Sequence, residues 1–106
     1  MVKAEQSMKN PIENLNKIFD SRIRLGIMSA LMVNAEVNFN DMKDLIQLTD
    51  GNLASHLKTL EESGYIKVQK GFIGRKTNTL YSVTKAGEKA FKNHLLALEE
   101  MIQLTK

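Results

Sequence analysis

The stretch Asn52–Val83, "NLASHLKTLEESGYIKVQKGFIGRKTNTLYSV", decides how the chain folds. Its first half is helical in pattern. With Leu57 set at the centre of one face and 100° per residue, Leu53, Leu60 and Ala54 fall within about 60° of it. The opposite side collects Asn52, Ser55, Thr59 and Glu62, with His56 and Lys58 on the flanks. Gly64 is the stop signal of that helix. From Tyr65 the period changes: "YIKVQK" and "TLYSV" alternate apolar and polar residues, the mark of two antiparallel strands. The loop expected between them holds Gly71, Gly74 and a side-by-side Arg75 and Lys76.

Upstream, "DMKDLIQL" reads as a short helix capped by Asn40, with Met42, Leu45 and Ile46 inward, and "TDGN" interrupts it before the next helix. "EVNF" reads as an extended segment ending at Asn40. "SRIRLGIMSALMVN" places Ile23, Ile27, Ala30 and Leu31 at helical spacing. "NPIENLNKIF" carries a helix-start signature: Asn10 as cap, Pro11 at the first helical position, and Glu13 reaching back. Leu15, Ile18 and Phe19 share one face of that N-terminal helix. Downstream, Thr84 caps a long last helix from Lys85 to Leu104.

Two helices joined by a short turn, the second running through a glycine into a β-hairpin, describe a winged helix-turn-helix. The predicted class is mainly α with a small β-hairpin (α+β), with extended N- and C-terminal helices. Residues 1–20 form the N-terminal helix, 21–91 the winged domain, and 92–106 the end of the long C-terminal helix.

A chain of 106 residues, 42% hydrophobic and 25% charged, suits one globular domain. It contains no cysteine, which excludes disulfides, thiolate metal sites and cysteine nucleophiles. Neither a membrane-spanning run nor a secretory signal is present, so the expected location is the cytoplasm, with no membrane partner. His56 and His94 lack partners at metal-ligand spacing, and no nucleophile–base pair, phosphate loop or carboxylate pair appears. No metal, cofactor or enzymatic activity is therefore expected.

The net charge of +3 is unevenly spread. Residues 34–63 carry Glu36, Asp41, Asp44, Asp50, Glu61 and Glu62 against Lys43 and Lys58. Residues 64–89 carry Lys67, Lys70, Arg75, Lys76, Lys85 and Lys89 against Glu88 alone. Positive charge is thus concentrated on the hairpin and its flank. The outward stripe of the preceding helix is built of small polar groups able to approach base edges and phosphates.

Phe39, Leu45, the "NLASHLKTLEESGYI" block, the Gly-Arg-Lys tip, Tyr81, "VTKAG" and the upstream "RIRLGIMSAL" together resemble the winged-helix transcriptional regulators related to MarR and ArsR proteins. The likeness is to their small stand-alone members and covers residues 21–91. It implies that Asn52, Ser55, His56, Lys58 and Thr59 occupy recognition-helix positions. Arg75 and Lys76, with Thr77 beside them, take the wing positions that meet phosphate or the minor groove. The cysteines of metal-sensing and redox-sensing members are absent, so the resemblance transmits no sensing mechanism.

The last helix continues an apolar stripe beyond what a small domain needs: Leu95, Leu98, Met101 and Ile102, widened by Leu96 and Leu104. Together with Leu15, Ile18 and Phe19 these residues are the expected dimer interface, and a homodimer agrees with the family resembled. The expected function is sequence-specific binding of duplex DNA by a homodimeric transcriptional regulator. The alternative is a winged helix serving protein–protein contact, motivated by the acidic balance around the recognition helix. A small-molecule effector is not indicated, although Met28, Met32 and Met101 are placed to line a pocket between the dimer helices of a ligand-responsive regulator; methionine at helical spacing is more often core filler.

Overall fold

The computed structural model describes residues 11–106; the predicted cap Asn10 and the residues before it lie outside that part. The expected N-terminal helix is replaced, over the described residues, by two 3-10 turns, Pro11–Asn14 and Lys17–Phe19. Asn16 separates them in an extended conformation, and its side chain accepts the Ile18 N–H at 2.9 Å. An extended residue at that point breaks the helical ladder.

Helix α1, Arg22–Val33, is capped by Ser21, whose hydroxyl accepts the Arg24 N–H at 3.2 Å. It buries Ile27, Met28 and Leu31. Strand β1 is only Val37–Asn38, and helix α2 spans Phe39–Ile46. Its cap is Asn38 rather than Asn40, with the Asn38 side chain accepting the Asp41 N–H at 2.8 Å. Met42 and Ile46 point inward as expected, but Leu45 is exposed. A two-turn helix offers one narrow stripe to the core, and Leu45 lies about 100° round from Ile46.

The interruption also comes earlier than "TDGN". Gln47 adopts the left-handed conformation (φ 58°) and closes α2 with its N–H on the Lys43 carbonyl at 2.7 Å. Helix α3 then spans Asp50–Glu62, capped by Thr49, so Asp50 and Gly51 belong to its first turn. Gly64, at φ 79°, ends the chain's run from α3, as its sequence position suggests.

Strands β2, Ile66–Ile73, and β3, Lys76–Val83, pair without interruption from Ile66↔Val83 to Ile73↔Lys76. Most of the expected loop is therefore strand. Only Gly74 and Arg75 turn the chain, and Gly74 supplies the positive φ (63°) that a two-residue hairpin turn starting with glycine needs. β1 adds to the other side of β3 through Val37↔Tyr81 and Asn38↔Leu80, giving a three-stranded antiparallel sheet of order β1-β3-β2. Helix α4, Lys85–Leu104, starts at the predicted cap, Thr84. No helix among the described residues is long and apolar enough to cross a membrane.

Tyr65, between α3 and β2, joins these parts. Its carbonyl accepts the Thr84 N–H at 3.0 Å, while the Thr84 hydroxyl donates to the Gly64 carbonyl at 2.7 Å. Its ring stacks on Phe19 at 5.4 Å, and its hydroxyl accepts from the Asn16 side-chain amide at 2.9 Å. Phe19 also meets Phe91 edge-on at 5.4 Å. The fit at the start of α4 is tighter still: a Cβ on Gly87 would lie 2.0 Å from the Tyr65 carbonyl oxygen. Backbone on both sides leaves nothing free to yield. Gly87→Ala is accordingly expected to lower stability by about 1–3 kcal/mol in urea unfolding, the usual cost of overpacking. Gly51→Ala, where a Cβ meets nothing within 4 Å, serves as the control that leaves stability unchanged or slightly raised.

Candidate nucleic-acid interface

Leu53, Leu57 and Leu60 anchor α3 in the core as expected, and this orientation fixes what its other side presents. Asn52, Ser55 and Lys58 are fully on the surface. Ala54, expected inward, is exposed as well. The open face is rotated toward Ala54 and Lys58 because the His56 flank is closed by α1. There the Arg24 guanidinium donates through Nε to the Ile18 carbonyl and lies, through Nη1, 3.0 Å from His56 Nδ1.

Since arginine only donates, His56 Nδ1 accepts and the ring proton sits on Nε2. Burial, and secondarily the Arg24 charge, push the His56 pKa below its ordinary value. Thr59 is half-buried, and its hydroxyl donates back to the Ser55 carbonyl at 3.2 Å. Of the five recognition-helix residues read from the sequence, Asn52, Ser55 and Lys58 thus share the open face, while His56 and Thr59 are engaged within the chain. Ala54 is the position that the angular pattern missed; its small methyl keeps the helix surface low and offers an apolar contact beside the polar ones.

At the N-terminus of α3, Asp50 is held 2.6 Å from Lys43 of α2. That hydrogen bond and charge hold the Lys43 ammonium above its ordinary pKa. The pairing spans the turn of the helix-turn-helix and offsets a carboxylate that would otherwise oppose a phosphate at this helix end. At the hairpin, Arg75, Lys76 and Thr77 are all exposed at or next to the turn. A low polar helix face and a basic hairpin tip are thus both exposed on one small domain.

The sequence profile of winged helix DNA-binding domains matches residues 23–102. The chain belongs to that family. A protein of Methanocaldococcus jannaschii described as uncharacterized is 40% identical over 90 residues, covering 85% of this chain and 95% of its own. Among solved structures, a transcriptional regulator homologue from Pyrococcus horikoshii aligns over 100% of this chain and 99% of its own, with 29% identity and a TM-score of 0.79. Bacillus subtilis PadR in complex with operator DNA shares the fold at TM-score 0.63 and 18% identity, over 71% of this chain and 48% of its own. Neighbours of MarR type share it too, among them a regulator from Porphyromonas gingivalis at TM-score 0.64 and 23% identity, over 84% of this chain and 82% of its own.

In this winged helix the expected interface residues of the two ends separate into two groups. Phe19 is 1% exposed, enclosed by Tyr65, Phe91 and His94 of its own chain. Ile18 is half-buried against the same core. Leu95, Leu96, Ile102 and Leu104 remain exposed along α4, with Leu15, Leu98 and Met101 half-covered. Between the 3-10 turns, α1 and α4 lies a cleft of about 740 Å³ lined by Leu15, Phe19, Leu25, His94 and Leu98, among others. None of Met28, Met32 and Met101 lines it, and Met28 lies wholly in the core.

His94 is the buried group that sequence reasoning passed over. The pattern that places it is Gly87, Phe91, His94 and Leu98, spaced by four, three and four along one face of α4. Its Nδ1 accepts the Asn16 backbone N–H at 3.0 Å, and its ring packs on Phe19 at 5.3 Å. Burial pushes its pKa below the ordinary value, with Asp20 pulling the other way. The unfolded chain takes up protons near the ordinary histidine pKa, whereas the fold resists them until lower pH. Stability contributed by neutral His94 and His56 is therefore present above about pH 6.5 and lost as the pH falls below it. In urea unfolding between pH 7 and pH 5, His94→Gln is expected to lose less stability than the wild type. An equal loss in the two proteins would place the proton uptake elsewhere.

Proposed function

We infer that this winged helix is a sequence-specific, duplex-DNA-binding transcriptional regulator that acts as a homodimer. The observation carrying the reading is the pairing of a low-relief face on α3, built of Asn52, Ala54, Ser55 and Lys58, with a hairpin tip whose charges are all positive. In this assignment Asn52, Ser55 and Lys58 meet base edges and flanking phosphates in the major groove, beside the Ala54 methyl. His56 acts mainly by bracing α3 against Arg24, with Nε2–H left as its one donor. Arg75, Lys76 and Thr77 hold the neighbouring backbone or minor groove. The similarity to a transcriptional regulator homologue along essentially its whole length supports this role, as does the operator complex known for PadR.

Dimerisation is assigned to α4 and the cleft beside it. Leu95 and Ile102 are exposed on one side of α4, which the chain's own 3-10 turns leave uncovered, with the exposed Leu96 about 100° round from Leu95. A second copy of α4 laid along this surface and into the cleft would bury both, with Leu15, Leu98 and Met101 at the margin.

The assignment separates the two contact elements by experiment. Arg75→Ala is expected to weaken binding to every duplex alike and to reduce the log–log salt slope by about 0.9, the share of a single neutralised phosphate. Ser55→Ala and Asn52→Ala are expected to change the ranking among duplexes by about 1–3 kcal/mol at the affected base pair while leaving the slope in place. Fluorescence anisotropy titrations over a range of salt measure both quantities. An Arg75→Ala protein with unchanged affinity and slope would remove the wing from the interface.

A further inference from the structure

The hairpin tip carries a feature that phosphate binding leaves unused. Phe72 is 74% exposed and Ile73 is 68% exposed, the two residues immediately before the turn. Phe72 pairs with Thr77 and Ile73 with Lys76, and nothing but Gly74 and Arg75 lies beyond them. As neighbours in a strand they project from opposite faces of the hairpin. The tip therefore presents an aromatic ring on one side, a branched aliphatic chain on the other, and Arg75 at the apex. Phe72 takes no part in the ring contacts among the described residues, and the sheet's buried residues end at Ile66 and Tyr81, far down the hairpin.

Leaving two large apolar side chains in water at a tip that folding does not require to be apolar points to an occupant. The surrounding charge says which kind. No carboxylate side chain occurs between Glu62 and Glu88, whereas Lys67, Lys70, Arg75 and Lys76 lie in that interval. A polyanion that also offers apolar surface between its charged rails fits this arrangement, and the minor groove of duplex DNA is such a surface, with sugar walls lining it between the phosphates.

We propose that Phe72 and Ile73 are an apolar wedge that the wing presses into the minor groove, flanking Arg75. The inference rests on the duplex-binding role of the domain and adds a second, uncharged source of wing affinity. The ring and the aliphatic chain lie against the sugars or part a base step, as apolar side chains of groove-bending proteins do. Arg75 and Lys76 fix the tip on the phosphates.

Charge and wedge have different salt signatures. Apolar contact releases no counterions, so removing it lowers affinity at every salt concentration by the same factor. For the double variant Phe72→Ala/Ile73→Ala, affinity for an A·T-rich duplex is expected to fall about tenfold, a drop matching burial of part of two side chains. The log–log salt slope is expected to stay at the wild-type value, and Phe72→Leu to retain most of the affinity. Because both residues are exposed at the tip, circular dichroism should show the variants folded as wild type. Wild-type affinity in the double variant, or a deficit that vanishes at high salt, overturns the wedge. So does a change in the sedimentation of the DNA-free protein with DNA affinity intact, which assigns the pair to protein contact. Wild-type protein that binds no duplex overturns the wedge together with the reading beneath it, and the wild-type titration shows which of the two has failed.

Discussion

The close approach of Gly87 to the Tyr65 carbonyl is the constraint on which the rest of the fold depends. There the end of α3, the start of β2 and the start of α4 meet backbone to backbone. Thr84 secures the meeting from both directions: its N–H reaches Tyr65, its hydroxyl reaches Gly64, and that same oxygen accepts the Gly87 N–H at 2.9 Å to cap α4. Side-chain packing can relax around a substitution; two backbones in contact cannot. The angle at which α4 leaves the domain, and with it the position of the exposed leucines, is set at this point.

Tyr65 carries the constraint further. Its ring and hydroxyl hold Phe19 and Asn16, and Asn16 in turn donates its N–H to His94 of α4. The segment ahead of α1 is thereby tied to both sides of the junction. From that segment the Ile18 carbonyl accepts the Arg24 guanidinium, which leans on His56 of α3. One continuous chain of contacts runs from the apolar cleft to the His56 flank of α3. It explains why the open face of α3 is turned toward Ala54 and Lys58.

Much of this architecture is legible in the sequence. Leu53, Leu57 and Leu60 at helical spacing, Gly64 as a stop, Thr84 as a cap and the alternation in both hairpin strands each act locally, and each stands where its pattern predicts. The exceptions arise where a partner distant in sequence decides. Pro11 and Glu13 favour a helix start, yet Asn16 is held between Tyr65 and His94, and the helix gives way to two short turns. Asn38 outcompetes Asn40 as a cap because β1 pairs with β3 and delivers the chain one residue pair earlier. The tip of the hairpin reads as a loop because glycines and short polar residues dominate it, whereas cross-strand pairing continues to the final turn. The exposure of Asn52, Ser55, Lys58 and the basic tip is readable from residue type and angle. The engagement of His56 by Arg24 is not, since no local pattern joins residues so far apart.

Electrostatics completes the division of labour. The acidic balance around α3 resides largely outside its open N-terminal half: Asp50 is paired with Lys43, and Glu61 and Glu62 lie at the far end of the helix. The most direct test of DNA recognition by a symmetric pair of these domains is selection of bound sequences from a random duplex pool with the wild-type protein. A symmetric pair of these domains is expected to enrich two inverted half-sites whose centres lie about one helical turn apart, on the order of 34–36 Å, or a multiple of it. A pool that emerges without any enriched sequence would contradict that expectation.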